Sequence, residues 1–217
     1  MSDSITVHDG HGRGGYKRSF DLVVLVLAHI LLLPLWIVLW TSIPMMIWLN
    51  DQGPILFRQR RIGRDGKEFT LLKFRTMIVD AEKLTGAIWS TANDDRITRP
   101  GRLLRATALD ELPQILNILR GDMSFVGPRA ERPELHEEIL KTVPDFGQRL
   151  AMRPGLTGLA QVSGEYDLEP KDKLKHDLCY ARMMGPLVDL RLLFQSVWNT
   201  LTARWDQPQN SQPSRRA

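Results

Sequence analysis

The chain has 217 residues, which suits one domain of about 150–200 residues plus an appendage. Its 43% hydrophobic and 25% charged residues are globular proportions, so neither disorder nor a polytopic bundle is indicated. With 29 Lys and Arg against 25 Asp and Glu the net charge is +4, which favours an anionic partner, and the single Cys179 excludes a disulfide framework or a multi-cysteine zinc site.

Residues 1–16 are polar and glycine-rich and read as a flexible tail. His8 and His11 have no neighbouring ligands that would make a metal site of them. Residues 17–50 form a membrane segment, 51–206 a domain of soluble character, and 207–217 a second flexible tail. The chain has no internal repeat.

From Leu22 to Leu49 the sequence runs 28 residues without Lys, Arg, Asp or Glu. As a straight helix it would reach about 42 Å, longer than a bilayer core of about 30 Å. It is too long for a secretory signal, and Thr41-Ser42-Ile43 is a poor cleavage site. A plain spanning helix meets two objections. Lys17 and Arg18 precede the run while Arg58, Arg60, Arg61, Arg64 and Lys67 follow it, so a single span puts one basic cluster on the wrong side. Pro34 near the middle also removes a backbone hydrogen bond and kinks the helix. A re-entrant hairpin bent at Pro34, returning to the face it entered, satisfies both. Asp21 lies four residues after Lys17 and three after Arg18, a spacing that predicts an ion pair on one helix face.

Beyond the run, Ile55–Gln59 and Glu68–Phe74 read as strands of a hairpin, turned through Gly63 and Asp65-Gly66. Lys73 and Arg75 at its end read equally as exposed strand charges or as phosphate contacts. Glu111–Leu119 has helical apolar spacing, with Pro113 in the first turn and Gly121 as the stop. Asp110 and Glu111 therefore stand at a helix start, where capping is the ordinary role of such a pair.

Their surroundings favour chemistry. Arg96, Arg99, Arg102 and Arg105 lie upstream, and Gly121 to Arg129 is a glycine-containing segment ending in Gly127-Pro128-Arg129. Glycine turns aim backbone N–H groups at phosphate oxygens, and arginine binds phosphate bidentately. Carboxylates beside phosphates hold Mg²⁺ or attack phosphorus. Phosphoryl chemistry at a membrane surface is what these pieces imply. Near the end, Leu187–Trp205 places Leu190, Leu193, Phe194, Val197, Trp198, Leu201 and Trp205 near one helical face. Core packing is its default explanation, and an interfacial helix lying on lipid headgroups is the rival. Lys171, Lys173, Lys175 and His176 read as a solvated helix face.

The ordered motifs resemble the bacterial sugar transferase family, the small monotopic phosphoglycosyl transferases. They are Lys17-Arg18-x-x-Asp21, Gly53-Pro54-Ile55-Leu56-Phe57, Lys73-Phe74-Arg75-Thr76-Met77 and Asp95-Arg96-Ile97-Thr98-Arg99, followed by Leu109-Asp110-Glu111-Leu112-Pro113-Gln114, Gly121 to Arg129, and Arg153 to Val162. The resemblance implies an α/β, mostly α, monotopic membrane protein. Its parts would be a proline-broken re-entrant helix, a short β-hairpin, catalytic helices and interfacial amphipathic helices. It further implies transfer of a sugar 1-phosphate from a UDP-sugar to undecaprenyl phosphate, with release of UMP. That reaction initiates exopolysaccharide, O-antigen or glycoconjugate assembly.

By the same resemblance, Asp110 is the nucleophile that carries a covalent phosphosugar, and Glu111 supports it. Mg²⁺ would be held at Asp110 and Glu111. Arg105, Arg129, Gly127, Pro128, Lys73, Arg75 and Arg153 would contact substrate phosphate, and Lys17, Arg18, Asp21 and Pro34 form the membrane-interface motif. The implied location is the bacterial inner membrane, with residues 51–206 as the catalytic domain on the cytoplasmic face. Partners are then the UDP-sugar, undecaprenyl phosphate and membrane lipids; a homodimer is left open and no nucleic acid is expected.

Two positions depart from the family pattern. Leu33 stands where a serine often precedes the proline, and Ala130 stands where Gly-Pro-Arg is usually followed by another proline. Glu131-Arg132-Pro133-Glu134 is similar to the branch that transfers hexose phosphates. The rival reading is a non-catalytic scaffold binding polyprenol phosphate or anionic lipid, which would not need Asp110.

Overall fold

A computed structural model describes residues 13–81, 94–163 and 168–202. His8, His11, Trp205 and both tails, 1–12 and 203–217, lie outside the described residues. In chain order the elements are α1 (Lys17–Leu31), α2 (Leu33–Asp51), β1 (Leu56–Ile62), β2 (Glu68–Phe74), α3 (Arg99–Ala106), α4 (Gln114–Arg120) and β3 (Ser124–Val126). Then follow α5 (Pro133–Thr142), β4 (Gly155–Thr157), α6 (Leu159–Val162), α7 (Pro170–Met183) and α8 (Pro186–Leu201). The described residues are mostly helical, with two small sheets.

The apolar run is broken where the proline predicts. α1 stops at Leu32, whose φ of −111° leaves the helix, and α2 restarts with Pro34 in its first turn. The ladder passes from Leu32 N–H donating to the Ala28 carbonyl to Trp36 N–H donating to the Leu32 carbonyl. Both flanks of the break dock on the same body. Leu25 of α1 packs with Ile115, Ile118 and Phe125, while Ile43 and Ile47 of α2 pack on Phe74 and Leu104. Between them Leu27, Ile30, Leu31, Leu35 and Val38 are exposed. Burial of both ends with an exposed apolar tip is a shape that water alone does not favour.

β1 and β2 form the expected hairpin, antiparallel with Arg58 opposite Leu72, and β1 runs three residues further than predicted. Asp65 and Gly66, both with positive φ, make its turn. α4 is tied to this hairpin by buried Asn117. Its side-chain carbonyl accepts from Leu72 N–H and its amide donates to the Thr70 carbonyl. Gly121 ends α4 in the left-handed region, at φ 91°, as its position predicts.

β3 and β4 pair in parallel, Ser124 with Gly155 and Val126 with Thr157. Gly127 lies against the Arg153 carbonyl and Gly155, so a Cβ there would collide with backbone. That close approach delivers Pro128 and Arg129 from the end of β3.

Two expectations need correction. Asp21 does not pair with Lys17 or Arg18. Its Oδ1 accepts from Ser124 Oγ at 2.9 Å and from Phe125 N–H at 3.1 Å, because α1 is docked on β3 rather than lying free at an interface. Lys17 instead meets Asp189 at 2.7 Å, and Arg18 donates to the Ile118 and Leu119 carbonyls, the free end of α4. Core packing accounts for Leu193 but not for the rest of the apolar stripe described on α8. Asp189, Leu192 and Asn199 face the body, whereas Leu187, Phe194, Val197, Trp198 and Leu201 are exposed, Phe194 at 67%.

Candidate active site

Asp110 and Glu111 do not open the predicted helix. They sit in a tight 3₁₀ turn, Leu109–Glu111, and α4 begins only at Gln114. Ala108 before the turn has a φ of 53°, a left-handed conformation that a residue with a Cβ adopts only at a cost of about 1–2 kcal/mol. Such strain concentrates where a side chain must be aimed. Neither carboxylate caps a helix here, so the ordinary role of an Asp-Glu pair does not apply.

Three elements converge on the pair. Lys73 lies on the same face of β2 as Leu71 and Phe69, which belong to the core side. Its Nζ is 2.6 Å from Glu111 Oε1 and 3.9 Å from Asp110 Oδ2. Arg129, delivered by the loop after β3, has a guanidinium nitrogen 3.4 Å from the same Glu111 oxygen. Arg105 on α3 donates through Nε to Thr76 Oγ1 at 2.9 Å, and its charge acts on Asp110.

The two carboxyls titrate in opposite directions. Burial pulls Glu111 upward, but Lys73 and Arg129 outweigh it and hold the group at about 2. Burial dominates at Asp110 and raises its pKa, with Lys73 opposing and the Glu111 charge adding to the rise. Glu111 is thus a fixed anion already matched to cations. Asp110 is the buried carboxylate with less compensation, and the more basic of the two.

The structure brings together Asp110, Glu111, Lys73, Arg129 and, through Thr76, Arg105. Gly127 and Pro128 carry Arg129 to them. Arg75 is placed elsewhere, buried and paired with Asp51 at the end of α2. Arg153 approaches Gly127 through its carbonyl, and its side-chain charge is felt by Lys17. Among the described residues no group of three metal-binding side chains forms. Two adjacent carboxylates are nevertheless a donor set suited to Mg²⁺, which takes one or two carboxylates and completes its shell with phosphate oxygens and water.

Several residues that hold the site were not singled out from the sequence. Asn117 was hidden inside the apolar spacing of α4, although one polar residue in such a stripe is itself a signal. Asp189 and Tyr180, which bond each other at 2.7 Å, lie far from the pair in sequence and carry no local signature.

A broken apolar helix with an exposed tip and a carboxylate pair flanked by lysine and arginine are the features to be matched, and comparison with known proteins gives the family. Residues 13–203 match the bacterial sugar transferase family, and the chain belongs to it. It is 38% identical over 197 residues to the exopolysaccharide production protein PSS of Rhizobium leguminosarum bv. phaseoli, covering 86% of this chain and 95% of that protein. It is 39% identical over 188 residues to a UDP-glucose:undecaprenyl-phosphate glucose-1-phosphate transferase of Klebsiella pneumoniae, covering 84% of this chain and 39% of that one. The corresponding Xanthomonas campestris pv. campestris transferase is 40% identical over 192 residues, 83% of this chain and 40% of its own length. The chain therefore spans nearly all of the Rhizobium relative and about two-fifths of the two transferases.

Proposed function

We propose that this protein transfers a hexose 1-phosphate from a UDP-sugar to undecaprenyl phosphate, releasing UMP, as the initiating step of exopolysaccharide assembly. The observation that carries the reading is the unequal pair: Glu111 neutralised by Lys73 and Arg129, and Asp110 buried beside them with its carboxylate available.

An Asp110 oxygen attacks the sugar-bearing phosphorus. The bond from that phosphorus to the bridging oxygen breaks, and UMP leaves with the electron pair. A phosphate oxygen of undecaprenyl phosphate then attacks the same phosphorus, and the acyl-phosphate bond breaks to return the Asp110 carboxylate. Both attacks bring anion to anion, so positive charge must offset the repulsion. Lys73 and Arg129 are placed to supply it, with Arg105 behind Thr76. Asp110 and Glu111 would hold Mg²⁺, whose chemistry when bound is neutralisation of diphosphate charge.

The lipid substrate is confined to the membrane surface, which the shape of the chain suits. Both flanks of the broken apolar helix dock on one body and the tip projects from it, as a segment that enters and leaves one leaflet requires. The exposed face of α8 adds an amphipathic surface for the same interface. The reading places residues 51–206 on the cytoplasmic face of the inner membrane, where sugar nucleotides are available.

The test is UMP release from UDP-glucose, UDP-galactose and UDP-N-acetylgalactosamine, with Mg²⁺ and undecaprenyl phosphate, by wild type and Asp110→Asn. Wild type alone should release UMP, and intact-mass measurement should find a phosphosugar adduct only where Asp110 is present. Equal turnover by Asp110→Asn would sink the assignment.

A further inference from the structure

Arg129 is carried on a loop whose backbone is held at four consecutive carbonyls. That of Pro128 accepts from Gly155 N–H at 2.9 Å, and that of Glu131 from Ile62 N–H at 2.9 Å. The two between them are held by side chains. The Arg129 carbonyl accepts from a terminal nitrogen of Arg149 at 3.0 Å, and the Ala130 carbonyl from a terminal nitrogen of Arg61 at 2.8 Å.

Both guanidiniums are themselves fixed. Arg149 is buried with its Nε 2.8 Å from Asp177 and another nitrogen 3.6 Å from Glu131, and it lies over the Phe146 ring at 4.6 Å. Arg61 also donates to Gln59 Oε1 at 2.6 Å. Burial, and next the charge of Arg129 beside it, lowers the Arg61 guanidinium to about 10. Loop carbonyls normally face water; here a buried and a half-buried cation, Arg149 and Arg61, replace it. The fork of arginine suits this, since one guanidinium can bond its anchor and the loop at once.

We propose that Arg61 and Arg149 are positioning residues for the transfer: by gripping the Ala130 and Arg129 carbonyls they fix where the Arg129 guanidinium meets Glu111 and the substrate phosphate. The inference rests on the transferase reading for its catalytic consequence, but the grip itself is open to a separate measurement. The buried carboxylates Glu131 and Asp177 depend on Arg149, so Arg149→Met would endanger the fold. Arg61 lies at the edge of the hairpin and is the position to change.

Two experiments test it, with thermal unfolding of each variant checked first. Hydrogen exchange of the peptide covering residues 127–133 reads the grip without any turnover. Arg61→Met should exchange faster there than wild type, with Arg61→Lys between them. Equal exchange in all three overturns the proposal whether or not the enzyme is active. A double-mutant cycle with radiolabelled donor reads the consequence. Arg61→Met should lower kcat/KM about tenfold, as loss of a charge-assisted hydrogen bond implies, and by less than about twofold when Arg129→Ala is already present. Equal losses in both backgrounds would mean that Arg61 merely stabilises the fold, and overturn the positioning role. Absence of turnover in wild type would sink the transferase reading and leave the exchange result to decide the grip.

Discussion

Lys17, the first residue of α1, donates from Nζ to the carbonyl of Val126 at 2.7 Å, one residue before Gly127 opens the loop that carries Arg129. The base of the apolar segment and the root of the loop that carries Arg129 therefore share one buried ammonium. The same nitrogen reaches Asp189 at 2.7 Å and Tyr180 Oη at 3.0 Å, and Tyr16 Oη donates to Asp189 at 2.7 Å. Asp189 has no exposed surface and accepts from all three donors, which fixes the start of α8 against the start of α1.

Breaking that pair from one side should be severe. Asp189→Ala leaves an ammonium buried without its counter-charge, and a loss of about 3–5 kcal/mol is expected. Lys17→Met with Asp189→Leu removes both charges and should be less destabilising than Asp189→Ala alone. Thermal unfolding of the detergent-solubilised protein reads the order. A double variant as unstable as the single one would show that shape, not charge, decides this site.

The break in the apolar segment was legible in the sequence, but its fastening was not. Pro34 marks the break by chemistry that any sequence reader can apply. With Leu33 in place of serine, Thr41, Ser42 or a backbone group were the candidates to fasten it, and Thr41 Oγ1 instead donates to the Ile37 and Val38 carbonyls within α2. The structure supplies Trp36, whose Nε1 donates to the Ala28 carbonyl at 3.1 Å and whose ring stacks on His29 with centroids 4.6 Å apart. An eight-residue reach across a kink depends on its angle, and periodicity holds no angle. The hairpin and the Gly121 stop were legible for the opposite reason, being local. The predicted helix began three residues early, at Glu111, because Leu112 keeps the apolar spacing of Ile115, Leu116 and Leu119 while the chain at Leu109–Glu111 turns as a 3₁₀ helix. Trp36→Leu, which removes both donor and ring, is expected to loosen the bend. In a Cys179→Ser background, cysteines at Ser19 and Gln52 should react equally with an impermeant reagent from the cytoplasmic side. Trp36→Leu should reduce labelling at one of them; unchanged labelling at both would assign the bend to Pro34 alone.

The outward face of α8 makes a prediction independent of catalysis. Leu187, Leu190, Phe194, Trp198 and Leu201 recur at helical spacing and are exposed, while the opposite face holds Leu192 and Asn199 against the body. An environment-sensitive dye at Phe194→Cys in the Cys179→Ser background should shift to the blue on reconstitution into anionic phospholipid vesicles. The same dye at Lys171→Cys, an exposed position of α7, should not. A water-like spectrum at both positions would show that α8 stays off the lipid.

The opposed titration of the two carboxyls sets the direction of the pH profile. In the proposed reaction Asp110 attacks as the carboxylate, and burial raises its pKa above the ordinary value of 3.8. Turnover should therefore fall with acid through a value higher than an ordinary aspartate would give, while Glu111, held at about 2, stays charged throughout that range. Lys73 is the largest influence opposing the rise at Asp110 and the largest holding Glu111 down. Removing it in Lys73→Met should raise both groups, so the acid limb should move to higher pH as the maximum rate falls. A rate of adduct formation measured from pH 4 to 8 in both proteins separates the two effects. A lower plateau with an unmoved limb would mean that Lys73 serves the substrate phosphate only and leaves the nucleophile's proton untouched.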